Sequence, residues 1–358
     1  AGNQRVGGAF NAFSLYNIDG TSYNGTVGYN LGQIDNPELK WEETGQFNVG
    51  LDFALSKYKV TGTIDVYRKE TTDLFIGQPL SLLSATTSIQ ANLGSLENKG
   101  VELSLDYKIL DGDFKWSVNG NIAYNENKIT DLGPTFDPAN PIPGGGGTNL
   151  AEGRPVGSFF LVEWAGVNPA NGNPLWFNAD GNVTDVFSTA DRVFSDKTQD
   201  PAFVGGFGTN LSYKGFALNT LFTFAADQWR LNGSYAIIED TSLASFANMS
   251  TALSRMWSQP GDVTDIPRFN SVTRAQAGTR YLEDASFLRL RNISLSYSFD
   301  KDFLERTKLF TNLRMYVQGQ NLLTFTKWRG FDPESNISST FFEYPTPKTV
   351  TLGFYIEF

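Results

Sequence analysis

The chain has 358 residues, with 28 Lys and Arg against 38 Asp and Glu, and neither His nor Cys. A net charge of −10 argues against a nucleic-acid partner, which needs a basic face. Without Cys there is no disulfide framework or thiolate chemistry, and without His the commonest general base and metal ligand is missing. No run of 18 apolar residues is present, so no transmembrane helix is possible; a membrane remains open to strands, whose alternation keeps mean hydropathy low, here −0.26.

The opening Ala1-Gly2-Asn3-Gln4 carries no Met, charged n-region or apolar h-region, and reads as the start of the carboxy-terminal part of a longer protein. Residues 5–39 are loop-like, with Gly7-Gly8 and Asn24-Gly25. Paired strands then begin. Phe47, Val49, Leu51, Phe53 and Leu55 alternate with Gln46, Asn48, Gly50, Asp52 and Ala54. A turn near Ser56-Lys57 leads into Val60, Ile64 and Val66, and a loop over 76–97 follows. The second pair holds Val101, Leu103, Leu105 and Tyr107, a turn at Asp111-Gly112, then Trp116, Val118, Ile122 and Tyr124.

Residues 128–200 form a long insertion. Pro141–Gly147 reads as a structureless spacer, residues 158–167 as a short apolar strand, and Asn171-Gly172 and Asp180-Gly181 as turns of a small hairpin. Asn178–Asn182 lacks the alternating Asp and distal Glu of a calcium loop and is taken as a plain turn. The third pair spans Phe203–Tyr213 and Phe216–Phe224, with Gly205, Gly206 and Gly208 marking a bend or a close neighbour. In the loop over 228–280, Leu243, Phe246, Met249 and Leu253 have helical spacing, which predicts a helix within 242–257.

The fourth pair is Ile293–Phe299 and Leu309–Gln320. Arg289 and Arg291 share the phase of Ile293, so either they lie above the bilayer or a bulge resets the phase before Ile293. The ninth strand has Val350, Leu352, Phe354, Ile356 and Phe358 on one face. These nine strands are long enough to cross a bilayer when tilted. They are joined alternately by short turns (56–58, 111–113, 214–215, 300–308) and long connections (76–97, 128–200, 228–280, 327–346). That is the layout of an outer-membrane barrel, with short turns periplasmic and long loops outside. Nine is odd, and an open sheet leaves bare edges that hydrocarbon does not tolerate, so further strands are expected from elsewhere. The terminal Phe358, with Ile356 and Phe354, resembles the end that barrel-assembly machinery reads in such proteins.

Asn36-Pro37-Glu38-Leu39-Lys40-Trp41-Glu42, Asn98-Lys99-Gly100-Val101-Glu102-Leu103 and Asp265-Ile266-Pro267-Arg268 resemble motifs of SusC/RagA-type TonB-dependent transporters. So do the stretch from Tyr281 to Asn292, Gly319-Gln320-Asn321-Leu322, Gly330-Phe331-Asp332-Pro333-Glu334 and Tyr344-Pro345-Thr346-Pro347-Lys348. The resemblance runs in order over nearly the whole chain. It implies an all-β, 22-stranded transmembrane antiparallel barrel in a bacterial outer membrane, with residues 1–358 forming its last nine strands. The amino-terminal plug, the earlier strands and the TonB-contacting segment would lie outside this sequence. It also implies a SusD-like surface lipoprotein and import of oligosaccharides or peptides. A siderophore or cobalamin receptor, or a non-transporting barrel serving as an adhesin or secretion component, are the alternatives.

No cofactor or metal is expected, and no enzymatic constellation is present: Gly-x-Ser-x-Gly is missing, and Glu42 and Glu43 are adjacent in a strand and point to opposite faces. The inward set Asn48, Asp52, Asn119, Asn121, Asn210, Gln318 and Gln320 would line the lumen, for wetting or for contact with plug or solute. The loop aromatics Trp164, Trp176, Trp229, Tyr235, Trp257, Trp328, Phe341, Phe342 and Tyr344 are the candidates for stacking on a solute or on the lipoprotein; otherwise they pack the loops or form an interfacial girdle.

Overall fold

The computed structural model describes residues 2–4, 12–23, 26–81, 83, 86, 88–134, 136–276, 278–334 and 339–358. Strand accounts for 54% of the chain and helix for 9%, so the sheet decides the architecture. Its nine long strands are β1 (Glu42–Leu55), β2 (Val60–Thr72), β3 (Ser95–Asp111), β4 (Phe114–Asp131), β5 (Phe203–Tyr213), β6 (Phe216–Ala226), β7 (Phe287–Ser298), β8 (Asn312–Thr326) and β9 (Thr349–Glu357). Each pairs antiparallel with the next in sequence order, and the short strand Gly2–Gln4 adds a tenth member beside Glu42–Thr44 of β1. The predicted nine strands and their order are therefore present; the tenth was not read from the sequence.

Because side chains alternate, register carries one face across the whole sheet. Leu51 opposes Ile64, Ile64 opposes Leu103 and Leu103 opposes Ile122. The same face continues through Phe207 opposite Phe222, Leu218 opposite Leu295, Leu295 opposite Val317 and Val317 opposite Leu352. This apolar face is bare: Phe47 is 70% exposed, Leu51 63% and Leu352 67%. Such an area far exceeds the few hundred Å² of apolar patch that a water-soluble monomer tolerates. The other face carries Asn48, Asp65, Ser104, Asn121, Asn210, Ser294 and Gln318, with cross-strand bonds such as Asn48 Nδ2 to Asp65 Oδ1 (3.3 Å).

The three glycines of β5 mark close neighbours. A Cβ at Gly205 would meet the Asn121 carbonyl, and one at Gly206 the Phe222 carbonyl at 2.8 Å. The short turns are tight for local reasons. Ser56, Lys57 and Tyr58 all take positive φ, as do Lys214 and Gly215. Between β7 and β8 the connection is a short helix, Lys301–Thr307, whose Phe303 N–H is accepted by Asp300 Oδ1 (2.8 Å).

The long connections contain more order than the sequence suggested. Leu15–Tyr23 pairs with Thr26–Gln33, and Phe75–Pro79 with Ser88–Asn92, so both supposed loops are hairpins; Gly7-Gly8 and Asn24-Gly25 lie outside the described residues. Pro141–Gly147 is not a spacer. Ile142–Gly145 is a strand paired with Thr148–Leu150, because positive φ at Gly145, Gly146 and Gly147 turns the chain and Asn149 Nδ2 holds the Pro141 carbonyl (2.9 Å). The insertion as a whole builds a four-stranded and a three-stranded sheet rather than one small hairpin. Asn178–Asn182 is a turn, with the Asn178 carboxamide accepting from Asp180 and Asn182 N–H groups.

The helix expected within 242–257 does not form. It is replaced by 3₁₀ segments Thr241–Leu243 and Thr251–Arg255, started by the Asp240 and Ser250 side chains, which compete for backbone N–H groups. The α-helix of this region is Gly233–Ile238. Two apolar cores sit among these connections: Ile76, Ile129 and Leu132, and Val162, Trp176 and Val272. Fully burying each such side chain is worth roughly 1.5–3 kcal/mol, which fixes the long-loop end of the sheet.

Candidate functional site

The polar groups of the long-loop end converge where β7 meets residues 327–346. A bulge makes this possible. Asn292 pairs with Leu221 and Leu290 with Phe222, leaving Arg291 as the extra residue. The phase inverts there, so Leu290 and Leu288 keep the apolar face while Arg289 moves to the polar one, opposite Thr223 and Thr324. The bulge expected next to the two arginines is thus present, and it moves Arg289 off the phase of Ile293.

Both arginines then hold the 327–346 connection. Arg289 is 3% exposed, donates to Asp332 Oδ1, to Glu334 Oε2 (2.8 Å) and to Thr324 Oγ1 (3.1 Å). Arg291 donates to Glu334 Oε1, to Asn321 Oδ1 (3.2 Å) and to Thr223 Oγ1 (3.3 Å). Asp332 also accepts from the N–H groups of Glu334 (2.9 Å) and Thr346 (2.8 Å). Burial alone would raise the Asp332 carboxyl; the bonds from Arg289, Thr346 and Glu334 outweigh it and bring it down to about 2. Gly330 turns beside Trp328, whose indole leaves no room for a Cβ there.

A second buried network joins the 228–280 connection to the same end. Glu239 Oε2 accepts from Arg280 (3.1 Å) and from the Tyr281 hydroxyl (2.8 Å), and burial beside that carboxylate pushes the Tyr281 hydroxyl up. Glu283 accepts from Arg329 Nε (3.0 Å), and the Arg329 guanidinium lies 4.6 Å from the centre of the Tyr235 ring. Strand Trp229–Asn232 ties these parts together, pairing with Leu282–Asp284 on one side and Ser339–Thr340 on the other.

Between the ends of β5, β6 and β7 and residues 343–346 lies an open cavity of about 710 Å³. Gln228, Arg230, Arg291, Glu343 and Tyr344 are on its wall. Burial pulls the Arg230 guanidinium down to about 10, against the opposing pull of Glu343, Asp332 and Glu334, so it stays a cation at neutral pH.

The aromatics singled out from the sequence divide. Trp176 (2% exposed) and Trp328 (6%) are packed inside, and Trp176 Nε1 donates to the Gln276 carbonyl (3.0 Å). Neither presents a ring face to solvent. Trp164 is half-buried, edge-on to Trp176 and covered by Arg280. Lys197 sits over Trp229, and Trp257 Nε1 donates to the Pro169 carbonyl (3.0 Å). Phe341, Phe342 and Tyr344 are exposed, Tyr344 almost fully, and Tyr344 reaches the cavity. At the opposite end of the sheet Phe354 and Ile356 lie on the apolar face of β9, and Phe358 rests against Phe310. Sequence reasoning missed Gln228, Arg230, Glu239 and Glu283, since single polar residues in long connections carry no periodic signal. Arg289 and Arg291 did carry one, a charge on an apolar phase.

A protein-family model described as TonB dependent receptor-like, beta-barrel matches residues 5–322. The chain is 35% identical over 381 residues to TonB-dependent receptor P3 of Formosa agariphila, covering 96% of this chain and 37% of that protein. It is 28% identical over 389 residues to TonB-dependent receptor SusC of Bacteroides thetaiotaomicron, covering 100% and 36%. Among solved structures it superposes on one titled the RagAB peptide transporter with a TM-score of 0.86 at 30% identity, covering 97% of this chain and 38% of that one. The chain spans little more than a third of the length of the curated relatives it matches. A family match over most of the chain, a bare apolar face and connections that are long at one end and short at the other agree: the chain belongs to the TonB-dependent receptor β-barrel family of the outer membrane.

Proposed function

We infer that the chain forms the later wall and surface loops of an outer-membrane importer that takes up oligosaccharides or peptides together with a SusD-like surface lipoprotein. The observation that carries this reading is the sheet's two faces, one apolar and exposed and the other polar, with ordered loops at one end. Similarity to SusC and to the RagAB peptide transporter supports it. The remaining strands, the plug and the TonB-contacting segment belong to flanking sequence in this reading. They pair with the outer edges of Gly2–Gln4/β1 and β9, whose bare N–H and C=O groups would each cost several kcal/mol in hydrocarbon. Phe341, Phe342 and Tyr344 are then the exposed rings available to the lipoprotein or the solute.

Tagging the full-length protein in its host and purifying it from the outer membrane tests this. The expected result is a stoichiometric lipoprotein partner and a bound glycan or peptide, with growth on that solute lost when the gene is deleted. Recovery of the protein alone, with growth on all such nutrients unchanged, rejects it.

A further inference from the structure

At the long-loop end of β2 and β3 the apolar face gives way to charge. Along β3 this face carries Leu110, Tyr107, Leu105, Leu103 and Val101 in turn. At about 3.3 Å per residue and a tilt of about 40°, that run spans about 23 Å along a bilayer normal, close to the roughly 25 Å apolar band of a barrel. The next side chain in phase is Lys99, and directly opposite it on β2 stands Arg68, next in phase after Val66. Their side chains are 50% and 63% exposed. Like charges directly opposite in a sheet repel, so this register gains nothing from the pair itself. Arg68 reaches diagonally to Glu97, and Lys99 reaches across to Glu126 (3.2 Å). A guanidinium and an ammonium each carry more N–H donors than one carboxylate contact uses, so donors of both remain at the surface.

We propose that Arg68 and Lys99 together bind the phosphate of a lipid in the leaflet on the long-loop side of the membrane. Two features select a lipid phosphate. The first is depth. The pair follows directly on the apolar run, at the border of the hydrocarbon, where lipid phosphates lie. Val66, Val101 and Tyr124 form the adjacent row of the apolar face, and the Tyr124 ring lies 5.1 Å from that of Phe203, so a surface for acyl chains adjoins the two cations. The second is the order of the charges. Towards the loops, Arg68 is followed in phase by Glu70 and Lys99 by Glu97, and Glu70 stands directly opposite Glu97. On β4 the order is reversed, Glu126 before Lys128, which supplies the carboxylate partner of Lys99. These charges balance, so net charge does not draw an anion here; position does. A phosphate held at the hydrocarbon border meets two adjacent cations, whereas a free anion arriving from solvent meets the opposed carboxylates first. Arg and Lys donating together to one phosphate are charge-assisted bonds, the strong kind. The proposal rests on the membrane placement of the apolar face and is independent of the solute.

The test titrates the full-length protein, purified in detergent, with monophosphoryl lipid A, with the same lipid after removal of its phosphate, and with inorganic phosphate, and counts bound lipid by native mass spectrometry. The double variant Arg68→Gln/Lys99→Gln is compared with wild type and with Lys214→Gln, a cation over Tyr213 at the opposite end of the sheet. Heat-modifiable migration confirms folding. The expected result is saturable binding of the phosphorylated lipid, weakened at least tenfold in the double variant and unchanged in Lys214→Gln, with weak and equal binding of the dephosphorylated lipid by all three proteins. Should the double variant fail to fold, Lys99→Gln decides alone, with a loss of at least threefold expected. Equal binding of the phosphorylated lipid by wild type and the variant overturns the site, as does an equal loss in Lys214→Gln or the lack of any preference for the phosphorylated lipid. Displacement of the lipid by an equal concentration of inorganic phosphate gives the site to a free anion and overturns the lipid assignment.

Discussion

Asp332 shows how one carboxylate can tie a surface loop to a barrel wall. Removing one member of a buried charge pair strands the other, at a cost of about 3–5 kcal/mol. Asp332→Asn is therefore expected to loosen residues 327–346 by about 3 kcal/mol while β7 itself stays paired, seen as faster hydrogen exchange and proteolysis confined to that connection. The pH dependence has a fixed sign. A carboxyl held at about 2 when folded, below its ordinary 3.8, contributes its full stabilisation above about pH 4 and loses it as pH falls towards 2. The wild type should thus lose about 2 kcal/mol of loop protection over that window, and Asp332→Asn should lose much less. Equal acid sensitivity in the two proteins would exclude Asp332 as the responsible group.

At the scale of the element, the bulge at Arg291 is what allows β7 to be apolar along one side and charged near its loop end. Deleting Arg291 removes the extra residue without changing the phase on either side, since Leu290 and Asn292 already lie on opposite faces. That deletion should still give a folded barrel. Deleting Leu290 together with Arg291 should not, because Arg289 then stands directly before Asn292 on the strand. It throws Arg289 onto the apolar side, at about 2–4 kcal/mol in mid-bilayer and less near the interface, and it breaks both contacts to the 327–346 connection. The heat-modifiable fraction of the two variants in outer-membrane extracts measures this. If the double deletion is tolerated as well as the single one, phase is not what the bulge protects.

For the whole molecule, stability depends on what covers the apolar face. Leu103 lies mid-strand with Ile64 and Ile122 beside it, and Ser104 is its neighbour on the polar side. In the full-length protein Leu103→Arg should cost about 2–4 kcal/mol against bilayer refolding, and Ser104→Arg should be nearly neutral. Equal penalties would mean that both faces are packed against protein. The ordered loops contribute at this scale too. Among the described residues, the bonds from Arg289 and Arg291 to Asp332 and Glu334 hold the 327–346 connection against the ends of β5–β7.

The sequence by itself determined the nine strands, their order, the apolar face and the division into short turns and long connections. These depend on local periodicity and turn chemistry, which neighbouring residues encode. It also flagged Arg289 and Arg291, because a charge on an apolar phase demands an explanation. Only the tertiary structure decided that Arg291 is the bulged residue and that Asp332 and Glu334 are the partners, since those contacts join residues 43 to 45 positions apart. It alone turned Pro141–Gly147 into a hairpin strand, through the hold of Asn149 on Pro141, and broke the helix expected within 242–257, where the Asp240 and Ser250 side chains took the backbone N–H groups. Burial sorted the loop aromatics, placing Trp176 and Trp328 inside and Tyr344 outside. Gln228 and Arg230 were illegible for the same reason: what distinguishes them is a cavity formed by strands and loops distant in sequence, and no local pattern encodes a space between elements.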